Sequence, residues 1–374
     1  MRYLQPYINN DLHNGKIVLL GGPRQVGKTT LSNSILKQTS GKYFNYDSDD
    51  GRESMLVQQW KQSDQLLVFN EIHKYKNWKR WLKGLYDTRK NQHQFLVTGS
   101  ARMDIYKQGG DSLLGRSHSW RLHPFTLDEL PDDIRPTEAF ERLMSIGGFP
   151  EPFLRNNEEY ARRWRRERYE KIIREDIQDL EMIRHTRDLA LLARLLQQRV
   201  GSTITISHLA QDLEVAPDTI KHWIEILQRV YLCFVIKPYT AKLARTLKKP
   251  QKIYFYDNAD VQGDNGMRFE NLVATHLLKR MEFLTDKTGH RYELRYIRDL
   301  EKHEVDFVIL KDDHVEELIE AKWNDAKISK HLHYFQRRIQ PAKTTQIVGT
   351  LEYGYDSDDI EVRSPLEYFA EKVW

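Results

Sequence analysis

Apolar and polar positions along this chain follow two rhythms. Residues 16–20 (KIVLL), 42–46 (KYFNY), 65–71 (QLLVFNE) and 94–100 (QFLVTGS) are short apolar runs of strand length. Between them, residues 29–38 (TTLSNSILKQ), a stretch around Met55–Trp60, and residues 77–90 (NWKRWLKGLYDTRK) carry helical spacing. Strands separated by helices of this length predict a parallel sheet with helices on both faces. After 123–133 (HPFTLDELPDD) the strand signal stops, and 137–199 reads as helices interrupted by the turn at 147–153 (GGFPEPF). Residues 203–257 read as helix, turn, helix and two β-rich runs. From Gly266 a helix over 269–281 leads into strands and helices in alternation. The pattern divides the chain into an α/β segment 1–135, a helical segment 136–202, a mixed segment 203–258 and a second α/β segment 259–374.

Composition narrows this only a little. A chain of 374 residues, 40% hydrophobic and 30% charged, is globular and long enough for several domains. No apolar run approaches the roughly 18 residues that suggest a membrane span, and the N-terminus lacks the apolar region of a signal peptide. A lone Cys233 in an apolar stretch excludes a disulfide framework and fits a cytoplasmic, reducing environment. The net charge of +4 is too small to point to nucleic acid; only its local distribution can.

The first chemistry lies in Gly22-Pro23-Arg24-Gln25-Val26-Gly27-Lys28-Thr29, followed by Thr30, between an expected strand and an expected helix. Glycines at these spacings let backbone N–H groups wrap a triphosphate, and the helix aims its positive end at it. In such a P-loop Lys28 reaches the β- and γ-phosphates and the Thr29 hydroxyl ligates Mg²⁺, so ATP and Mg²⁺ are the expected cofactors. The run 65–71 supplies the facing half. Asn70 stands where an Asp normally holds the magnesium hydration shell, and Glu71 can polarise the attacking water. Asp47 or Asp49 could supply the charge that Asn70 lacks. Thr98 and Ser100 end the next strand and can sense the γ-phosphate. Of Arg102, Arg116 and Arg121, Arg116 is the one chosen as an arginine finger.

Two further patterns follow. The arginine-rich stretch 160–181 places Glu158–Arg162, Glu159–Arg163, Glu167–Lys171 and Glu170–Arg174 four apart, the mark of a self-paired, solvated helix face. Residues 206–236 have helix-turn-helix rhythm, with Leu209, Leu213, Val215, Ile220, Trp223, Ile224 and Leu227 inside. Thr219, Lys221 and His222 then open a recognition helix. The two β runs form a wing around Lys242, Arg245, Lys248 and Lys249, which suit phosphate contacts. In the last segment Glu270 falls on a helix, Asp306 on a strand, and Glu320 and Lys322 on one face of the next strand. Asp306 and Glu320 would bind a divalent metal, Glu270 would add a ligand, and Lys322 would position water or stabilise phosphorane charge. His303 reads as an exposed turn residue.

The blocks 21–31 (GGPRQVGKTTL), 68–87 (VFNEIHKYKNWKRWLKGLYD), 96–102 (LVTGSAR) and 113–130 (LLGRSHSWRLHPFTLDEL) together resemble prokaryotic AAA+-superfamily ATPases that carry a C-terminal domain of unknown function. The E…D…ExK order resembles PD-(D/E)XK, restriction-endonuclease-like folds. The resemblance implies an AAA-like ATPase core at 1–135, a helical lid at 136–202, a winged helix at 203–258 and a nuclease-like α/β domain at 259–374. The family usually has Asp at position 70. Three functions fit: an ATPase that remodels or translocates on DNA as a homo-oligomeric ring, a nucleotide-dependent regulatory or defence switch acting on a protein partner, and an ATP-gated, metal-dependent nuclease.

Overall fold

The expected apolar runs become strands β1 (Ile17–Gly21), β2 (Gly41–Asn45), β3 (Leu66–Asn70) and β4 (Gln94–Thr98). With β5 (Ser117–Arg121) they form one parallel sheet in the order β2-β3-β4-β1-β5. Every residue of β3 is buried, as a strand covered on both faces requires. Helices α1 (Gln5–His13), α2 (Lys28–Leu36), α3 (Asp49–Leu56) and α4 (Trp78–Arg89) complete this part. Its core gathers Phe44, Leu67, Phe69, Trp78, Leu82 and Phe95. The helix expected around Met55–Trp60 lies earlier. The Ser48 side chain caps it by accepting from Gly51 N, Asp49 and Asp50 fill its first turn, and Trp60 beyond its end packs edge-on against Phe44.

The computed structural model describes residues 2–100, 113–131, 133–177, 186–240 and 250–374. They group as two compact units, one running to His123 and including Arg229–Tyr231, the other made of 124–228 and 232–374. No helix among the described residues is long and apolar enough to cross a membrane.

The second unit begins with helices α5 (Pro136–Ser145), α6 (Pro150–Arg155), α7 (Glu158–Lys171) and α8 (Thr186–Gln197). Residues 136–202, expected as a lid on the ATPase core, thus group with the C-terminal residues. On α7, Arg162 pairs with Glu158 at 3.4 Å and Arg163 with Glu167 at 3.0 Å, on a solvated face. Arg168 does not belong to that face. It is 1% exposed, stacks 3.9 Å above the Phe149 ring and approaches Asp257 and Asp260 at 3.8 and 3.5 Å.

Next come β6 (Thr203–Ile204), α9 (Ile206–Asp212), α10 (Pro217–Arg229), β7 (Cys233–Pro238) and β8 (Gln251–Phe255). The remainder is α11 (Asn265–Thr288), β9 (Tyr292–Arg298), β10 (Glu304–Lys311), β11 (His314–Lys322), α12 (Lys330–Ile339), β12 (Lys343–Val348), β13 (Tyr355–Ser357), β14 (Ile360–Arg363) and α13 (Pro365–Tyr368). Strands and helices do not alternate directly after α11. β9, β10 and β11 are consecutive and antiparallel, and Asp312 and Asp313, both at positive φ, make a two-residue hairpin turn between β10 and β11. Among the described residues, the nine strands of this unit share one sheet, ordered β13-β14-β12-β11-β10-β9-β7-β8-β6. β7 joins β9 in parallel through Lys237↔Arg295 and Pro238↔Tyr296, so the boundary expected at residue 258 falls inside a hydrogen-bonded sheet.

Candidate functional site

The strand order of the first sheet explains its site. β4 lies between β1, which leads into the Gly22–Gly27 loop, and β3, which ends at Asn70. Residues at the end of β4 therefore fall between the loop and Asn70–Glu71. The loop itself uses its glycines. A Cβ at Gly22 would lie 2.3 Å from the Leu122 carbonyl oxygen, and Gly27 opens α2 at φ +98°. The Lys28 ammonium, buried, donates to the carbonyls of Gly22 at 2.8 Å and Pro23 at 2.7 Å. A buried ammonium held over a loop of backbone amides at a helix N-terminus fits a nucleotide phosphate chain. Thr29 is exposed and hydrogen-bonds with Tyr43 of β2. Burial, ahead of that bond, holds the Tyr43 phenol above its ordinary pKa, so it stays neutral.

Asn70 and Glu71 are held differently. Thr98 Oγ1 donates to Asn70 Oδ1 at 2.6 Å, and Asn70 Nδ2 donates to Asn45 Oδ1 at 3.1 Å. This forms a row across the ends of β2, β3 and β4 in which the amide uses both its faces. Glu71 adopts φ +56°, a sparsely populated conformation for a non-glycine residue and the kind that functional sites retain. Its carboxylate accepts from Ser100 Oγ at 3.2 Å and lies 3.5 Å from His73 Nε2. Burial keeps the His73 imidazole below its usual pKa, although Glu71 pulls the other way. The structure thus brings Lys28, Asn70, Glu71 and Ser100 into the end of one sheet. Asp47 pairs with Lys74 at 2.9 Å and also acts electrostatically on Tyr43 and His73, while Asp49 pairs with Arg52. Arg116 precedes the N-terminal end of β5, whereas the loop follows the C-terminal end of the parallel β1. It makes two bonds to Asp87, at 2.8 and 3.2 Å, and does not reach this chain's own loop. Arg102 lies outside the described residues.

In the second unit, Lys221 and His222 are exposed on the first turns of α10, Thr219 is half-buried, and Lys221 pairs with Asp218 at 2.9 Å. Behind them Leu209, Ile220, Trp223, Ile224 and Leu227 are buried as expected, while Leu213 and Val215 are half-buried. Lys242, Arg245, Lys248 and Lys249 lie outside the described residues.

Glu270, Asp306, Glu320 and Lys322 gather in this unit, but with company that the sequence did not announce. Lys252, on β8, lies among Glu304 at 2.7 Å, Glu270 at 3.3 Å and Asp306 at 3.3 Å. Tyr254 donates to Glu270 Oε1 at 2.7 Å. Lys322 Nζ lies 2.8 Å from Glu320 Oε1. Burial first, then the Asp306 charge, push the Glu320 carboxyl up to about 8. Alternation along β8 and β10 carries the missed signal: Lys252 shares a strand face with Tyr254, and Glu304 shares one with Asp306. His303 is partly buried, bonded to Asp299 at 3.0 Å and stacked on Tyr334. It is not the exposed turn residue expected.

Comparison with known proteins separates the first unit from the rest near the same place and divides the second between residues 260 and 265. Residues 14–131 match the family model of an AAA domain. Residues 137–260 and 265–369 match two domains of unknown function, DUF8612 and DUF4143. An uncharacterized protein of Mycobacterium bovis is 25% identical over 248 residues, covering 66% of this chain and 55% of its own length. The chain therefore spans about half the length of that relative. An uncharacterized protein of Methanocaldococcus jannaschii is 23% identical over 91% of this chain and 83% of its own. Among solved structures, the Walker-type ATPase PABY2304 of Pyrococcus abyssi is similar at 14% identity, covering 70% of this chain and 94% of its own, with a TM-score of 0.42. The first unit is an AAA-type P-loop ATPase domain.

Proposed function

We propose that this chain is a DNA-associated ATPase that couples ATP binding and hydrolysis to remodelling or translocation on DNA. The observation that carries the reading is the exposed, polar start of α10, with Lys221 and His222, on a buried helix-turn-helix core, in a chain whose other unit is a P-loop ATPase domain. The antiparallel pair β7–β8, with β6 added, supports a winged helix. A groove of about 670 Å³ beside α10 is lined in part by Lys221, Gln228 and Lys237, groups suited to phosphate oxygens, with the Glu225 carboxylate among them.

In the ATPase domain, Gly22 to Thr30 would hold the phosphates and Thr29 the Mg²⁺, which supplies charge neutralisation on the β- and γ-phosphates when bound. Glu71 orients the attacking water, and Ser100 and His73 orient Glu71. Lys28 leaves the loop carbonyls for the phosphate oxygens. In this reading the protein is a homo-oligomeric ring, and an arginine from a neighbouring copy completes each site.

The test is ATP turnover of the full chain, with and without duplex, forked and single-stranded DNA, across a salt series. DNA-stimulated turnover that falls steeply with salt and vanishes in Lys28→Ala is expected. Replacing Lys242, Arg245, Lys248 and Lys249 by Ala should flatten the salt slope of DNA binding by up to about 0.9 for each phosphate no longer neutralised. Turnover indifferent to every DNA form would instead favour a switch acting on a protein partner.

A further inference from the structure

The acid cluster of the second unit already contains a cation, and the chain supplies it. The Lys252 side chain is 1% exposed, and its ammonium meets Glu304 Oε1, Glu270 Oε1 and Asp306 Oδ1 at 2.7, 3.3 and 3.3 Å. A divalent ion shared by Glu270 and Asp306 needs their oxygens at about 2.0–2.6 Å, in the space that this ammonium fills. Other ligand positions of Glu270 and Asp306 are used as well. Asp306 Oδ2 accepts from Ala321 N at 3.1 Å, and Glu270 Oε1 also accepts from Tyr254. A Cβ added at Gly201 would stand 2.6 Å from Glu270 Oε2, so the turn before β6 lies directly against that carboxylate. Glu320 turns Oε1 to Lys322, and its Oε2 is buried with no hydrogen-bond partner. A metal shared by Glu270 and Asp306 therefore does not fit this arrangement. Among the described residues, the carboxylate and imidazole atoms that do converge within 4.8 Å belong to Asp299, Glu301 and His303.

We propose that Lys252 is the resident cation of this cluster: its ammonium stands where a metal shared by Glu270 and Asp306 would, and closes that pair to Mg²⁺ and Mn²⁺. The second unit then carries no metal-dependent phosphodiester cleavage at these residues, whatever it binds. Lys252 comes from β8 and the acids it meets from α11 and β10, so the ammonium also ties the β7–β8 pair to the rest of the sheet.

The experiment is Mn²⁺ titration of the full chain without nucleotide, followed by calorimetry and electron paramagnetic resonance. A Glu301→Gln/His303→Ala background silences the neighbouring triad. With Lys252 intact, no site sensitive to Asp306→Asn should appear, and supercoiled DNA should stay un-nicked under Mg²⁺ or Mn²⁺. Lys252→Gln should gain one Mn²⁺ site per chain, at least tenfold tighter than the parent, and lose it again on adding Asp306→Asn. Lys252 is buried among acids and its loss can unfold the unit, so Lys252→Met with Glu304→Gln removes the pair together. Metal binding or nicking with Lys252 intact that Asp306→Asn abolishes would overturn the proposal. So would a folded Lys252 variant that gains no Mn²⁺.

Discussion

Asn70 shows how much one uncharged atom can decide. Its amide bridges Thr98 and Asn45, which keeps the row of strand ends satisfied without negative charge. An Asp there would accept from magnesium-bound water through charge-assisted bonds, roughly twice as strong as neutral ones. Asn45 could turn its own amide to donate to the new carboxylate. Asn70→Asp is therefore expected to raise turnover several-fold while changing ATP affinity little, because the Gly22–Thr29 loop grips the phosphates independently. Steady-state ATPase at saturating Mg²⁺, beside calorimetric ATP binding, checks this; equal turnover in the two proteins would make Asn70 an innocent replacement. The nucleotide site was legible because the loop is continuous in sequence and its chemistry is tied to fixed spacing. Tyr43 was not, since it reaches Thr29 from a strand whose order in the sheet had to be known first. Lys252 and Glu304 were hidden for the same reason. A lysine inside an apolar β run reveals its role only when the strand that faces it is identified.

Elements were read well where burial made them periodic and poorly where it did not. β5 escaped notice because it is an edge strand with Trp120 as its one buried residue. The helix α11 was recognised, but not the three side chains on it that hold the segment 126–129. His276 Nε2 accepts from Leu127 N at 2.9 Å, while Nδ1 donates to Leu272 O at 2.8 Å. Lys279 binds Glu129 at 2.5 Å and Thr126 at 2.7 Å, and Arg280 lies 3.3 Å from Asp128. Spacings of three and four put all three on one helix face. Burial drives the His276 pKa from 6.5 down to about 3, so the folded unit keeps this imidazole neutral. The unfolded chain takes up the proton below pH 6.5 and the folded unit does so only near 3. Its contribution to stability is thus complete above 6.5 and is lost as pH falls through that window, by at most about 1.4 kcal/mol per pH unit. His276→Gln can still accept from Leu127 and does not titrate. Urea unfolding of the two proteins between pH 7 and 4 should show the variant with the shallower acid limb; parallel limbs would remove His276 as the cause.

At the scale of the whole molecule, composition and pattern suggested a break near residue 258, and two family matches meet near it, at 260 and 265. Pairing register, which pattern cannot supply, joins what lies on either side of it. β9 borders β7 on one edge and β10 on the other. Cutting at 258 would bare the β9 edge, a row of unpaired backbone groups that invites association with other chains. It would remove Lys252 from among three carboxylates, leaving like charges close together. It would also strip Lys279 and Arg280 of Glu129 and Asp128, and breaking a buried pair by removing one partner costs about 3–5 kcal/mol. Against a domain stability of about 5–15 kcal/mol, these losses are enough to abolish a cooperative fold. A fragment of residues 259–374 is therefore expected to aggregate or to lack near-ultraviolet circular dichroism, whereas 124–374, which keeps all of these pairings, should unfold cooperatively. Thermal melts and sedimentation of the two fragments at equal concentration decide the matter. A monomeric 259–374 that melts as sharply and as high as 124–374 would mean that the shared sheet contributes continuity of pairing and little stability.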